Sequence, residues 1–190
     1  MPVALDQLEE FFIAKRLKYR RESDRLATGF ATKQFRDETG RTGLAIVVRL
    51  DEGGNYLQVV APGLYRAHGC EHRSALFQVL LDVTLRTKMI RFEHDPADGE
   101  IRCSGECPIE DGTLTAKQFH RMLECLAESV DRWHPVIGLA IEEGVVALDC
   151  PEPEPDAPLA AHTRAGKRRG YVSLPAAGRP GRWRGECERE

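Results

Sequence analysis

Four groups of residues in this chain have the types and spacings that could do chemistry. Cys103-x3-Cys107-x12-His120-x4-Cys125 has a finger-like spacing that could hold zinc. Tetrahedral zinc, with Zn–S bonds of about 2.3 Å, needs its two thiolates within about 4 Å of each other. Residues 100–107 alternate in the manner of a strand, which sets Cys103 and Cys107 roughly 13 Å apart. His120 and Cys125 are five apart on an expected helix, about 140° around its axis. The four residues therefore read as two core cysteines on a strand and two helix residues, and no zinc site is expected. His68-x-Cys70-x-His72 is a second cluster, in a loop following Pro62-Gly63, and a flexible loop could bring its members onto a transition metal. A Cys–His nucleophile there would also need an oxyanion donor and an orienting third group, and nothing in the sequence supplies the latter. The plainer reading is an exposed loop with His72 or Ser74 close to a helix start.

Asp95, Asp98 and Glu100 lack the D-x-D-x-D-G pattern of a calcium loop and fit a solvated hairpin turn. There is no G-x-x-x-x-G-K-[ST] and no G-x-S-x-G. Arg164, Lys167, Arg168, Arg169, Arg179, Arg182 and Arg184, with Tyr171 and Trp183 among them, could contact phosphates and stack on bases. Acidic residues flank that run on both sides, which favours a solvated tail over a nucleic-acid site.

The bulk composition sets the frame for these groups. The chain has 190 residues, 42% hydrophobic, with a formal net charge of −3. That suffices for one domain with a core, and it creates no whole-molecule field toward nucleic acid or acidic lipid. Met1 is followed by an amphipathic acidic stretch and not by the basic patch and apolar run of a secretory leader. No stretch approaches the roughly 18 apolar residues of a membrane span. The six cysteines are scattered, so they read as reduced thiols and the chain as cytoplasmic.

The elements that must position these residues follow from periodicity. Leu5, Leu8, Phe12 and Ile13 line one face of a first helix that runs to about Lys18. Tyr19 to Thr28 reads as a connection. Strands are expected at 29–37, 43–50 and 55–61, punctuated by Thr39-Gly40 and Gly53-Gly54. A helix over 72–86 is apolar nearly all round and should be buried against the sheet. Strands at 88–94 and 100–107 flank the turn Asp95-Pro96-Ala97-Asp98-Gly99. A third helix starts at a capping box, Thr115 with Gln118, stapled by Leu114 and Phe119. Its apolar face includes Phe119, Met122, Leu123, Leu126, Val130 and Trp133, and Pro135 should kink or end it. Val136 to Glu143 can add a turn or two before Gly144 stops it. The order α-β-β-β-α-β-β-α with short antiparallel strands predicts an α+β domain over 1–149. The run CPEPEPDAP and the aperiodic residues beyond it predict a Pro-rich linker and disordered basic tail over 150–190.

Residues 75–137 carry a resemblance. The apolar helix 76-LFQVLLDVTL-85, then 90-IRFEHDPADGEIRCSGECPIEDGTLT-115, then the helix ending 130-VDRWHPVI-137 resemble the YbjN family of bacterial proteins. The shared phrase is a strand with Phe, an Asp/Gly hairpin, a second strand ending near Pro, then Leu-Thr and a helix leading to Asp and Pro. The resemblance implies a type III secretion chaperone-like fold and a sensory-transduction regulator with no catalytic residues. It also implies that a groove takes a peptide segment of a partner protein, with a homodimer among the expected assemblies. Candidate partner-binding residues on the third helix are Phe119, Met122, Leu126 and Trp133, for most of which core packing is the stronger account. No cofactor is expected. The alternative functions are a metal- or thiol-dependent enzyme centred on Cys70, His68 and His72, and a nucleic-acid binder through the tail.

Overall fold

The computed structural model describes residues 2–146. The elements in chain order are α1 (Leu5–Ala14), β1 (Tyr19–Arg21), β2 (Arg25–Phe30), β3 (Leu44–Asp51), β4 (Tyr56–Arg66), α2 (Arg73–Arg86), β5 (Ile90–His94), β6 (Glu100–Pro108) and α3 (Ala116–Glu142). The strands form one antiparallel sheet in the order β1-β2-β3-β4-β6-β5. The α+β class expected from the alternating strands is therefore the observed one, with one more strand than the sequence predicts. The expected linker and tail over 150–190 lie outside the described residues, as do residues 147–149 of the expected domain.

The added strand comes from 19–28, which reads as a connection and is instead the first hairpin. Tyr19 pairs with Thr28 and Arg21 with Leu26. The strand Tyr-Arg-Arg has no apolar alternation because it is a short, charged edge, a common protection against unwanted pairing. The strand expected at 29–37 ends at Phe30. A buried carboxylate redirects the chain there: Asp131 of α3 accepts the backbone N–H groups of Lys33, Gln34 and Phe35 at 2.7–3.0 Å. Those three donors converge on one acceptor and cannot also join a ladder. The first helix stops at Ala14, with Arg16 at φ 56°, so Leu8 and Phe12 face the core while Ile13 faces solvent.

Alternation decides which face of the sheet is covered. Ile46, Val48, Leu57, Val59, Ile101 and Cys103 are fully buried on the helix side. Their neighbours Ala45, Val47, Gln58, Val60, Arg102 and Glu106 are half-buried on the other. α3 crosses this core as predicted. Thr115 accepts from Gln118 N–H and the Gln118 side chain accepts from Thr115 N–H, closing the capping box. Pro135 does not end α3. The missing N–H would have served the Asp131 carbonyl, and Pro135 sits on the exposed side, where that carbonyl can meet water. One close approach needs a glycine. Gly54 has φ 97°, and a Cβ there would sit 2.2 Å from the Val3 carbonyl oxygen, where the N-terminal residues dock by a Val3 N–H to Gly54 C=O bond of 2.9 Å.

Candidate functional site

The four candidate residues on α3 are core residues. Phe119, Met122, Leu126 and Trp133 are all buried, and Phe119 packs against the rings of Phe11 and Phe12. The apolar surface that stays open belongs to α2. Leu76, Val79, Leu80 and Val83 face inward. At 100° per residue, Leu81 and Leu85 fall on the opposite pole, one turn apart. They are 73% and 84% exposed, and Met89, just past the helix, is 48% exposed. The expectation of a helix buried nearly all round thus holds for one stripe only. α2 lies at the end of the sheet beside β5 and against α3, so nothing among the described residues reaches its outer pole.

The surroundings of that pole narrow what it can do. β5 ends the sheet, and two of its outer backbone groups are bonded by side chains at the end of α2. Thr84 Oγ1 accepts the Phe92 N–H at 3.3 Å, and Thr87 Oγ1–H donates to the Ile90 carbonyl at 3.3 Å. A helix end that bonds part of a strand's free edge hinders strand addition there. The apolar surface left open at this end of the molecule is therefore that of the α2 side chains. Arg73 stacks over Phe77, whose ring lies 4.9 Å from that of His94. At the other end of α2, Arg86 and Lys88 are exposed and have no ion-pair partner among the described residues.

The uncovered face of the sheet is a contrast in chemistry. Glu93 accepts from Arg91, Arg102 and Ser104 at 2.7–2.9 Å. Glu106 accepts from Arg91, Gln58 and Tyr56, and Gln58 in turn accepts from Arg49. Against the cost of their partial burial, these donors hold the Glu106 carboxyl below its ordinary range. Both carboxylates are occupied by donors, so this ladder braces four strands.

The residues singled out for chemistry are dispersed. Cys103 is fully buried, and burial pushes its thiol far above the usual range, which keeps it neutral. His120 donates from Nε2 to the Phe11 carbonyl at 2.8 Å, while Cys125 is half-buried further along α3. His68 lies against Gly99 of the β5–β6 turn, and His72 lies against Gly144 past the end of α3. Among the described residues no three His, Cys, Asp or Glu side chains gather as metal ligands. Asp95 accepts the Ala97 N–H, Asp98 accepts the Glu100 N–H, and Glu100 accepts the Gly63 N–H, so these acids serve the turn and its neighbour. The basic run 164–184 lies outside the described residues.

Asp131 and its neighbours escape a sequence reading. Beside Asp131, the Tyr65 hydroxyl pairs with His134 Nδ1 at 3.0 Å, the two rings stack, and Phe35 meets both edge-on. Burial raises the Tyr65 phenol and lowers the His134 imidazole, so both stay neutral. The group pins the 31–37 turn to α3. The signal in the sequence is an acid at 131, four residues after Ala127 on the apolar face of α3.

No family model matches the chain, and no curated protein matches it either. Among solved structures, it is similar to YbjN from E. coli, described as a candidate transcription regulator, at 11% identity and a TM-score of 0.51. That match spans 70% of this chain and 93% of the other. A second similarity is to the HopA1–SchA chaperone–effector complex, at 13% identity and a TM-score of 0.46, over 70% of this chain and 99% of that one. At such identity the first shows a shared fold alone: the resemblance read over residues 75–137 is matched at the level of fold.

Proposed function

We propose that the folded domain is a non-enzymatic, cytoplasmic binding or regulatory module of the YbjN type, which engages an apolar segment of a partner protein on the outer pole of α2. One observation carries this: Leu81 and Leu85 stand exposed one turn apart on a helix whose other side is fully seated. Scattered exposed leucines are ordinary, but two in register beside Met89 form a stripe. Covering both leucines is worth on the order of 3 kcal/mol or more. The bonded edge of β5 favours an amphipathic helix laid against α2 over an added strand. The saturated carboxylates and the dispersed cysteines and histidines support a role without catalysis.

The test is a retention assay with the immobilised full chain. Leu81→Glu/Leu85→Glu should weaken capture of any partner by at least about tenfold, roughly 1.4 kcal/mol, while the thermal midpoint stays put. A partner retained equally by wild type and double variant would refute the α2 site. Sedimentation of the same two proteins reads the homodimer. A wild-type dimer that the substitutions split would mean that the stripe serves a second copy and not another protein.

A further inference from the structure

Residues 31–43 leave the sheet at Phe30 and rejoin it at Leu44, and these two residues pair with each other. The loop between them is closed by its own bonds. Thr32 Oγ1–H donates to the Phe35 carbonyl and Oγ1 accepts the Gly43 N–H, both at 2.8 Å. Asp37 accepts the N–H groups of Thr39 and Arg41 at 2.9 Å, and Arg36 bridges to Thr42. A compact loop whose ends already meet can lift from the domain without unpairing a strand.

The loop is held down at two points. Asp131 accepts the N–H groups of Lys33, Gln34 and Phe35. The buried Phe35 ring meets Tyr65 and His134 edge-on, with centroids at 6.3 and 5.2 Å. A third tie, Glu38 to Arg66 at 3.3 Å, joins two exposed side chains, where an ion pair is worth little. Both strong anchors border His134, since Asp131 stands one turn before it on α3 and Phe35 packs against its ring.

The bond between Tyr65 and His134 suits only a neutral imidazole. The Tyr65 hydroxyl is buried and has no other partner among the described residues. Burial keeps the phenol protonated, so its O–H donates and Nδ1 accepts. A second proton on the ring turns Nδ1 into a donor, and the phenol O–H is then stranded in the core. The charged and titratable groups around the ring are Tyr65 of β4, Arg36 of the loop, and Asp131 and Glu142 of α3, with Cys103 of β6 acting on Tyr65. Burial first and then Arg36 disfavour the proton, while Asp131 and Glu142 favour it. A ring that is half-buried can turn away from Tyr65, and a carboxylate three residues earlier on the same helix is within its reach.

We propose that the 31–43 loop is an acid-released latch: a proton taken up by His134 draws the ring from Tyr65 to Asp131, which then loosens its hold on the backbone of residues 33–35. Release bares Phe35 and the face of Tyr65 beneath it, while the sheet and α3 stay folded.

Amide exchange of the full chain reads the latch, each rate being divided by that of an unstructured chain at the same pH. For one proton and an ordinary imidazole value, opening can rise by at most about tenfold between pH 7.5 and 5.5. Protection of residues 33–35 should fall by about threefold to tenfold over that span, with the midpoint at which the His134 ring resonance itself titrates. Low urea should leave this exchange unchanged while it speeds exchange in β3 and β4, because a local opening exposes little surface. His134→Gln should abolish the fall, and Tyr65→Phe, which has no O–H to strand, should at least halve it. A fall that persists in His134→Gln, or one as large in Tyr65→Phe as in wild type, would overturn the latch. So would urea that speeds exchange of residues 33–35 as much as that of the central strands, since the loop would then open only with the whole domain.

Discussion

α2 and α3 pack side by side and are built on opposite terms. α3 has one continuous apolar stripe, capped at its start, with every large side chain of that stripe in the core. α2 has apolar residues on both sides and seats only one of them. The same residue type, leucine, is core at positions 123 and 126 and open to solvent at 81 and 85. The difference lies in position. α3 crosses the middle of the sheet, where neighbours exist on both flanks, whereas α2 sits at the sheet's end and closes the β5 edge. A helix at the end of a layer has a pole that no element of its own domain can reach. Surplus hydrophobicity at that pole stays open to solvent among the described residues.

Truncation separates the two helices most sharply. Phe119→Ala should destabilise the domain by about 3–5 kcal/mol, from lost transfer energy and the cavity left among Phe11, Phe12 and the helix. Leu85→Ala should stay within about 0.5 kcal/mol of wild type. Urea midpoints measure both, and equal effects would erase the distinction between the helices. Asp131→Ala should cost about 2–3 kcal/mol, because three backbone donors lose a charged acceptor at once. Its effect should concentrate in faster amide exchange of residues 33–35, and an unchanged exchange pattern there would show that the turn holds without α3.

A smaller effect comes from acid. Burial lowers the imidazoles of His120 and His134 below their ordinary range, and both lie on α3. A group with a depressed folded value binds its proton more readily in the unfolded chain. Stability is therefore full above about pH 6.5 and declines as the pH falls through and below that value. For His134 burial is the main cause, with Arg36 also opposing protonation while Asp131 and Glu142 partly offset it. Thermal midpoints between pH 7.5 and 5.5 should fall for wild type and fall less for His134→Gln, in which His120 remains. A midpoint that rises on acidification would contradict the assignment of these rings to the neutral state.

Much of this architecture is legible in local signals. The capping box at Thr115, the Asp/Gly turn at 95–99 and the alternation through 100–107 each declare themselves within a few residues, and the structure has them where those signals lie. The hairpin at 19–30 is not legible, because an edge strand of Tyr-Arg-Arg owes its place to its partner and not to its own pattern. The end of β2 at Phe30 is not legible either, since the carboxylate that turns the chain is about a hundred residues away in sequence. The exposed pole of α2 shows the same limit. Apolar residues on two helices are visible in the sequence, but their periodicity cannot say which helix has neighbours on every side.

From its residues alone this chain is committed to an α+β sheet domain with a capped amphipathic third helix and strand cysteines held apart from one another. Those features depend on propensity and period, which act over a turn or a strand. The sequence already favoured the core for most of Phe119, Met122, Leu126 and Trp133, but tertiary structure alone decided that Leu81 and Leu85 lie outside. Burial is a property of what stands opposite a side chain, and that is settled only when the sheet order places α3 over its middle and α2 at its end.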